Sequence, residues 1–168
     1  MLDKSIVNEA VNLISQCVCN ECVNPPGNEM KSIKSIQEYL AKFGVISQVF
    51  ETAPNRGVLV ARIKGTGTAP SLMLGPSHVD VVPAENASEW KVHPFSGTVD
   101  ADRIWGRGTL DMLYITCTQA VAFAHLTQEG FRPKGDLIYC AVADEEKGGV
   151  YGIQWLKANH PDLIKTDY

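Results

Sequence analysis

Between residues 3 and about 19, apolar side chains recur as Ile6, Val7, Ala10, Leu13, Ile14 and Cys17. This is the three-and-four spacing of a single helix face, and Asp3 stands where an N-cap is wanted. The stretch NPPGN (24–28) interrupts the pattern and starts a second helix, with Ile33, Ile36, Leu40 and Phe43 on one face and Gly44 as its stop. Three β-rich runs follow, VISQVFE, GVLVARIKG and SLMLGPSH, the last two separated by the turn GTGTAP. SGTVDADRIWGRG reads as a short hairpin around Asp100 and Ala101. From Leu113 to about Gln128, Leu113, Cys117, Ala120, Val121 and Ala124 fall on one helical face. LIYCAV (137–142) has the β-branched, aromatic and aliphatic content of a buried strand, and Gly148–Gly149 turns the chain into a last helix ending before Pro161.

Strands alternating with helices predict an α/β fold: a mixed, mostly parallel sheet flanked by helices on both faces. In such sheets functional groups collect beyond the carboxyl ends of the strands. Two titratable clusters stand at predicted strand ends here, SHVD (77–80) and ADEEKGG (143–149).

Composition narrows the classes. A chain of 168 residues with 45% apolar and 20% charged positions is expected to build one domain with a sizeable core. The net charge of −4, without a dense basic run, argues against a nucleic-acid surface. No apolar run is long enough to span a membrane, and MLDKSIVNEAVNL lacks the basic and apolar regions of an export signal, so the expected address is cytoplasmic. The five cysteines are an odd number without an export signal, which argues against a disulfide framework. CVCNEC (17–22) lacks paired-knuckle spacing and reads as a helix end carrying small, semi-apolar side chains rather than a thiolate metal site.

The candidate chemistry lies in three places. Asp144, Glu145 and Glu146 are consecutive carboxylates, costly to gather unless a cation is present. If their backbone is extended, neighbouring side chains diverge, and one glutamate can hold a metal while the other faces water. His78 is an imidazole that Asp80, two residues on, could orient. Asp111, just before a predicted helix, offers a further carboxylate, although an aspartate there also suits an N-cap.

Taken in order, SHVDVVPA, Trp90, HPFSG, GRGTLDM and DEEKGG strongly resemble the M20 family of dizinc metallopeptidases and amidohydrolases, which includes aminoacylases, carboxypeptidases, deacetylases and desuccinylases. The similarity runs from NPPGNE at residue 24 to the end. It implies a zinc-dependent hydrolase cleaving an amide or peptide bond in a small peptide or N-acyl amino acid. Its cofactors would be two Zn2+ ions, for which Co2+ or Mn2+ can substitute. By this resemblance His78 holds one ion, Asp111 bridges both, Glu146 holds the other, Glu145 is the general base and proton donor, and Asp80 orients His78. It also implies a cis peptide between Asp111 and Met112.

The chain departs from the family pattern where Lys-Gly usually follows the bridging aspartate. Leu113 and Tyr114 stand there, removing a positive charge and adding bulk where the helix begins. The resemblance places a further acidic ligand, a histidine ligand and a lid domain that forms the family homodimer beyond KTDY (165–168). Residues 1–168 are therefore expected to be a partial, zinc-exopeptidase-like catalytic domain, with two protein ligands for each of two ions, weak in metal binding and turnover. Two further expectations stand beside this one: a non-catalytic remnant of the same fold serving binding or assembly, and a related M28-type aminopeptidase.

Overall fold

The structure, a computed structural model, describes residues 3–168. Helix α1 (Lys4–Cys19) begins where Asp3 accepts a hydrogen bond from the Ser5 amide at 2.9 Å, as its capping position requires. Helix α2 (Met30–Ala41) buries Ile33, Ile36 and Leu40, and Gly44, at φ +74°, turns the chain out of it. Strands β1 (Ser47–Ala53), β2 (Arg56–Ile63) and β3 (Leu72–His78) follow, then the small hairpin β4 (Val99–Asp100) and β5 (Arg103–Ile104). Helix α3 (Tyr114–Gln128), strand β6 (Leu137–Val142) and helix α4 (Ile153–Asn159) complete the order.

The main sheet has the order β1–β2–β6–β3, with β6 inserted between strands that precede it. It is mixed and covered on both faces, as the sequence predicts, but parallel pairing is the minority: β1–β2 and β2–β6 are antiparallel, and only β3–β6 is parallel. The physical reason at β1–β2 is the connection. Pro54 and Asn55 alone separate the strands, and so short a link can only reverse direction.

Alternation along β2 and β6 divides the core. Leu59, Ala61, Tyr139 and Ala141 face α1, α2 and α3, while Val58, Val60, Ile138 and Cys140 face Leu156 of α4. All six residues of β6 are buried, which explains its unbroken apolar sequence. Cys17 and Cys22 pack inside, and burial pushes the Cys22 thiol up to about 11. Cys17 packs as a small apolar side chain near the end of α1, while the Cys22 sulfur lies 3.1 Å from the Ser32 hydroxyl. The HPFSG segment docks on α1: Ser15 donates to the Gly97 carbonyl at 2.6 Å and Cys19 to that of Ser96 at 3.2 Å. No helix among the described residues is long and apolar enough to cross a membrane.

Candidate metal centre

The parallel register of β3 and β6 sets His78 opposite Val142, so the SHVD and ADEE segments leave the sheet side by side. Asp111 approaches from the loop before α3. Gly108, at φ +84°, allows that approach, because a Cβ there would overlap Val81. Thr116 of α3 then donates to the His78 carbonyl at 2.8 Å and fixes the helix to the end of β3. The Asp111–Met112 peptide is cis, as the resemblance implies. Tyr114 is half-exposed at the start of α3.

One ligand atom from each of His78, Asp111 and Glu146 lies within 4.8 Å of the others. The His78 Nε2–Asp111 Oδ1 separation is 3.3 Å. Two ligands bound about 2.0–2.1 Å from one tetrahedral zinc lie roughly 3.3 Å apart, so the spacing and the donor set of one imidazole and two carboxylates fit a divalent cation. Glu145 Oε2 lies 3.6 Å from the same Nε2. The expected extended backbone at these glutamates is corrected by the structure: Asp144 is left-handed at φ +70°, and Glu145–Lys147 make one tight helical turn. Neighbouring side chains on such a turn point about 120° apart rather than opposite, and both glutamates still reach the mouth of the site.

Asp80 is fully buried and holds the site from beneath. Its main-chain carbonyl is the nearer partner of His78 Nδ1, at 2.9 Å, while its carboxylate Oδ1 stands 3.5 Å away. A carbonyl only accepts, so Nδ1 carries the proton and Nε2 faces Asp111. The Asp80 carboxylate meanwhile accepts the amides of Glu145 and Glu146, each at 3.1 Å. Asp80 therefore orients both the imidazole and the acidic turn, whereas the sequence pointed only to the first.

The charges match a cation-binding pocket. Burial lowers the His78 pKa, but its bonds to Asp80 and the surrounding carboxylates outweigh that, and the imidazole is raised to about 9. Burial works to raise the Asp80 pKa, yet the contacts with His78, Asn24 and the Glu146 amide bring it below the usual range. Glu146 is raised, first by burial and then by the charges of Asp111, Asp80 and Glu145, against the pull of His78. Crowded carboxylates of this kind are what a bound divalent ion relieves. Asp111 and Glu146 also line an open cleft of about 370 Å³ with Trp90, Trp105 and Arg107. The Arg107 guanidinium lies 5.4 Å from the centre of the Trp90 ring, and its buried Nε has no hydrogen-bond partner among the described residues.

A second tier of buried polar groups escapes sequence reasoning. Asn24 donates to Asp80 Oδ2 at 2.8 Å and to Asp144 Oδ1 at 3.0 Å. Arg56 reaches the same Asp144 oxygen at 3.0 Å and pairs through Nε with Glu29 at 3.0 Å and through Nη2 with its other oxygen. Glu29 has no solvent exposure. The usable signal was the polarity of NPPGNE and of an arginine heading an otherwise apolar strand, since buried charges need partners.

Residues 76–167 match the sequence pattern of Peptidase family M20/M25/M40. The chain belongs to that family. Its members are metal-dependent hydrolases. The chain is 41% identical over 102 residues to succinyl-diaminopimelate desuccinylase of Rhodopseudomonas palustris (strain BisB5), covering 58% of this chain and 26% of that protein. It is 32% identical over 143 residues to N-formyl-4-amino-5-aminomethyl-2-methylpyrimidine deformylase of Halalkalibacterium halodurans, covering 83% and 33% respectively. The fold is similar to that of an M20 family metallo-carboxypeptidase from Sulfolobus solfataricus, with a TM-score of 0.75 at 23% identity, over 99% of this chain and 36% of the other. This M20 chain thus spans about a third of the length of such relatives.

Proposed function

We propose that the chain carries the metal-binding half-site of a zinc-dependent hydrolase that cleaves an amide bond in a small peptide or N-acyl amino acid. The observation that carries this reading is the convergence of His78, Asp111 and Glu146 from three separate segments, within 4.8 Å of one another. These three residues would hold the ion. When bound, a divalent ion supplies Lewis-acid polarisation of the scissile carbonyl and acidifies water.

The chain's own residues supply the rest. Glu145, whose side chain is 61% exposed, has the freedom and position to accept a proton from the attacking water and return it to the departing amine. Asp80 keeps Nδ1–H directed at its carbonyl, so that a bound ion would take the place of the second proton at Nε2. Trp90, Trp105 and Arg107 form a wall of the cleft where substrate would lie. Arg107, with no carboxylate partner among the described residues, suits a substrate carboxylate.

Ligand number bears on stoichiometry. Shared between two ions, His78, Asp111 and Glu146 give each only two protein ligands, against about three in stable catalytic zinc. Given to one ion, they complete the set. The residues of this chain are therefore expected to hold one ion firmly, and the second zinc of the family needs ligands from elsewhere. The test is zinc quantification on the purified protein after chelation and reloading, alongside hydrolysis assays with N-acyl amino acids and free-amine dipeptides. One bound ion, lost in His78→Asn, supports the reading. Absence of Zn2+, Co2+ and Mn2+ binding at micromolar concentration overturns it.

A further inference from the structure

Asp80 touches the imidazole through its carbonyl and the acidic turn through its carboxylate, so whatever fixes Asp80 fixes both sides of the site. Its carboxylate has no solvent exposure, and Asp144, also buried, stands beside it. Two neighbouring buried carboxylates repel, and they stay together only with a donor between them. The Asn24 amide is that donor. Nδ2 gives one hydrogen to Asp80 Oδ2 at 2.8 Å and the other to Asp144 Oδ1 at 3.0 Å. Because both partners are acceptors, the network itself fixes which end of the carboxamide is nitrogen.

Asn24 is in turn held by main-chain pairing. Its amide donates to the Val81 carbonyl at 2.9 Å, and the Val81 amide donates to that of Cys22 at 2.9 Å. The NPPGNE segment is thereby laced to the residue directly after Asp80, and Asn24 is 1% exposed. Arg56 supplies the counter-charge at the same Asp144 oxygen, 3.0 Å away.

We propose that Asn24 is a positioning residue of the metal centre: by bridging Asp80 and Asp144 it sets the imidazole of His78 and the Glu145–Glu146 turn at the spacing an ion requires. This inference rests on the proposed metal site. Asn24 touches neither ion nor substrate and acts through Asp80. Removing the bridge lets the Asp80 carboxylate turn away from its neighbour, which frees the Glu145 and Glu146 amides and loosens the acceptor of Nδ1–H. Loss of such an outer partner typically lowers metal affinity about 10–100-fold.

The test compares the purified protein with Asn24→Ala and Asn24→Asp. Zinc dissociation constants come from competition with a chromophoric chelator, and the His78 ring nitrogens are observed by 15N NMR. Asn24→Ala is expected to weaken zinc about 10–100-fold and to blur the Nδ1–H signal. Asn24→Asp, equal in shape but without the donor, should do at least as badly. Leu156→Ala, on the opposite face of the sheet, serves as the control for general destabilisation and should leave zinc affinity within about twofold. If the variants fail to fold, the Asn24 side-chain amide of the unaltered protein still decides: its proton resonances should move when zinc is added. Zinc affinity unchanged in both Asn24 variants, or an Asn24 amide that stays still while His78 shifts, overturns the inference and leaves the metal site standing. Failure of the unaltered protein to bind zinc overturns the site and the inference together.

Discussion

Replacing Arg56 by methionine leaves the Glu29 carboxylate, which has no solvent exposure, without its counter-charge, and takes one of the donors from Asp144. Methionine keeps most of the volume, so the loss is electrostatic rather than a cavity. Breaking a buried ion pair from one side costs about 3–5 kcal/mol, because the remaining charge is neither solvated nor paired. For a domain of this size each kcal/mol lowers Tm by about 2–4 °C, so the expected fall is roughly 6–20 °C. The double variant Arg56→Met with Glu29→Gln removes both charges. Asp144 keeps Asn24 and the Tyr151 amide at 3.1 Å, and at least about half of the lost stability should return. Thermal and urea unfolding followed by circular dichroism at pH 7 measure both. A single variant costing under about 1 kcal/mol, or a double variant no more stable than the single, would refute the reasoning that Glu29 depends on Arg56.

The Gly65 amide at 2.8 Å, against opposing burial and with help from Arg62 and Lys64, holds the Asp136 carboxyl down at about 2. Its folded pKa lies below the unfolded value of about 3.9, so its stabilisation is complete above pH about 4 and disappears as pH falls through about 2. Asp136→Asn should flatten the urea midpoint against pH over that window; parallel curves for the two proteins would count against it. A Cβ at Gly152 would overlap the Ala143 carbonyl oxygen and lie 3.0 Å from its carbon, both backbone atoms that cannot swing aside. Gly152→Ala is therefore expected to cost about 1–3 kcal/mol in thermal unfolding, and an unchanged Tm would show that the turn has slack. Zinc at about 100 times its dissociation constant should stabilise the protein by about 2.7 kcal/mol, reversibly with a chelator. His78→Asn should abolish that response, and a response that persists would place the ion elsewhere.

How much was legible depended on sequence distance. His78, Asp80, Asp111, Glu145 and Glu146 each sit in a short local block beside a strand end or helix start, and those blocks were readable one by one. The helices were readable for the same reason, since their apolar spacing is local. Asn24, Glu29 and Arg56 are single polar residues whose side-chain partners lie 27 to 120 positions away, and no local pattern announces such a pairing. The antiparallel β1–β2 pairing has a local signal in the two-residue Pro54–Asn55 link, whereas the antiparallel contact of β2 with β6 has none. Asp80 was recognised for the imidazole but not for the acidic turn, because a main-chain carbonyl and two amides leave no trace in side-chain identity.

The late arrival of β6 couples construction of the sheet to construction of the site. Leu137–Val142 must slip between two strands already separated in the chain, and only then do the amides of Glu145 and Glu146 reach Asp80, 65 and 66 positions earlier. Closing loops of that length carries an entropic cost that is recovered only when the contacts form together. Without β6 in place Glu145 and Glu146 do not meet Asp80, and the cation pocket lacks one of its walls. Metal capture during biosynthesis is therefore expected to be a terminal event, reporting that the sheet is whole.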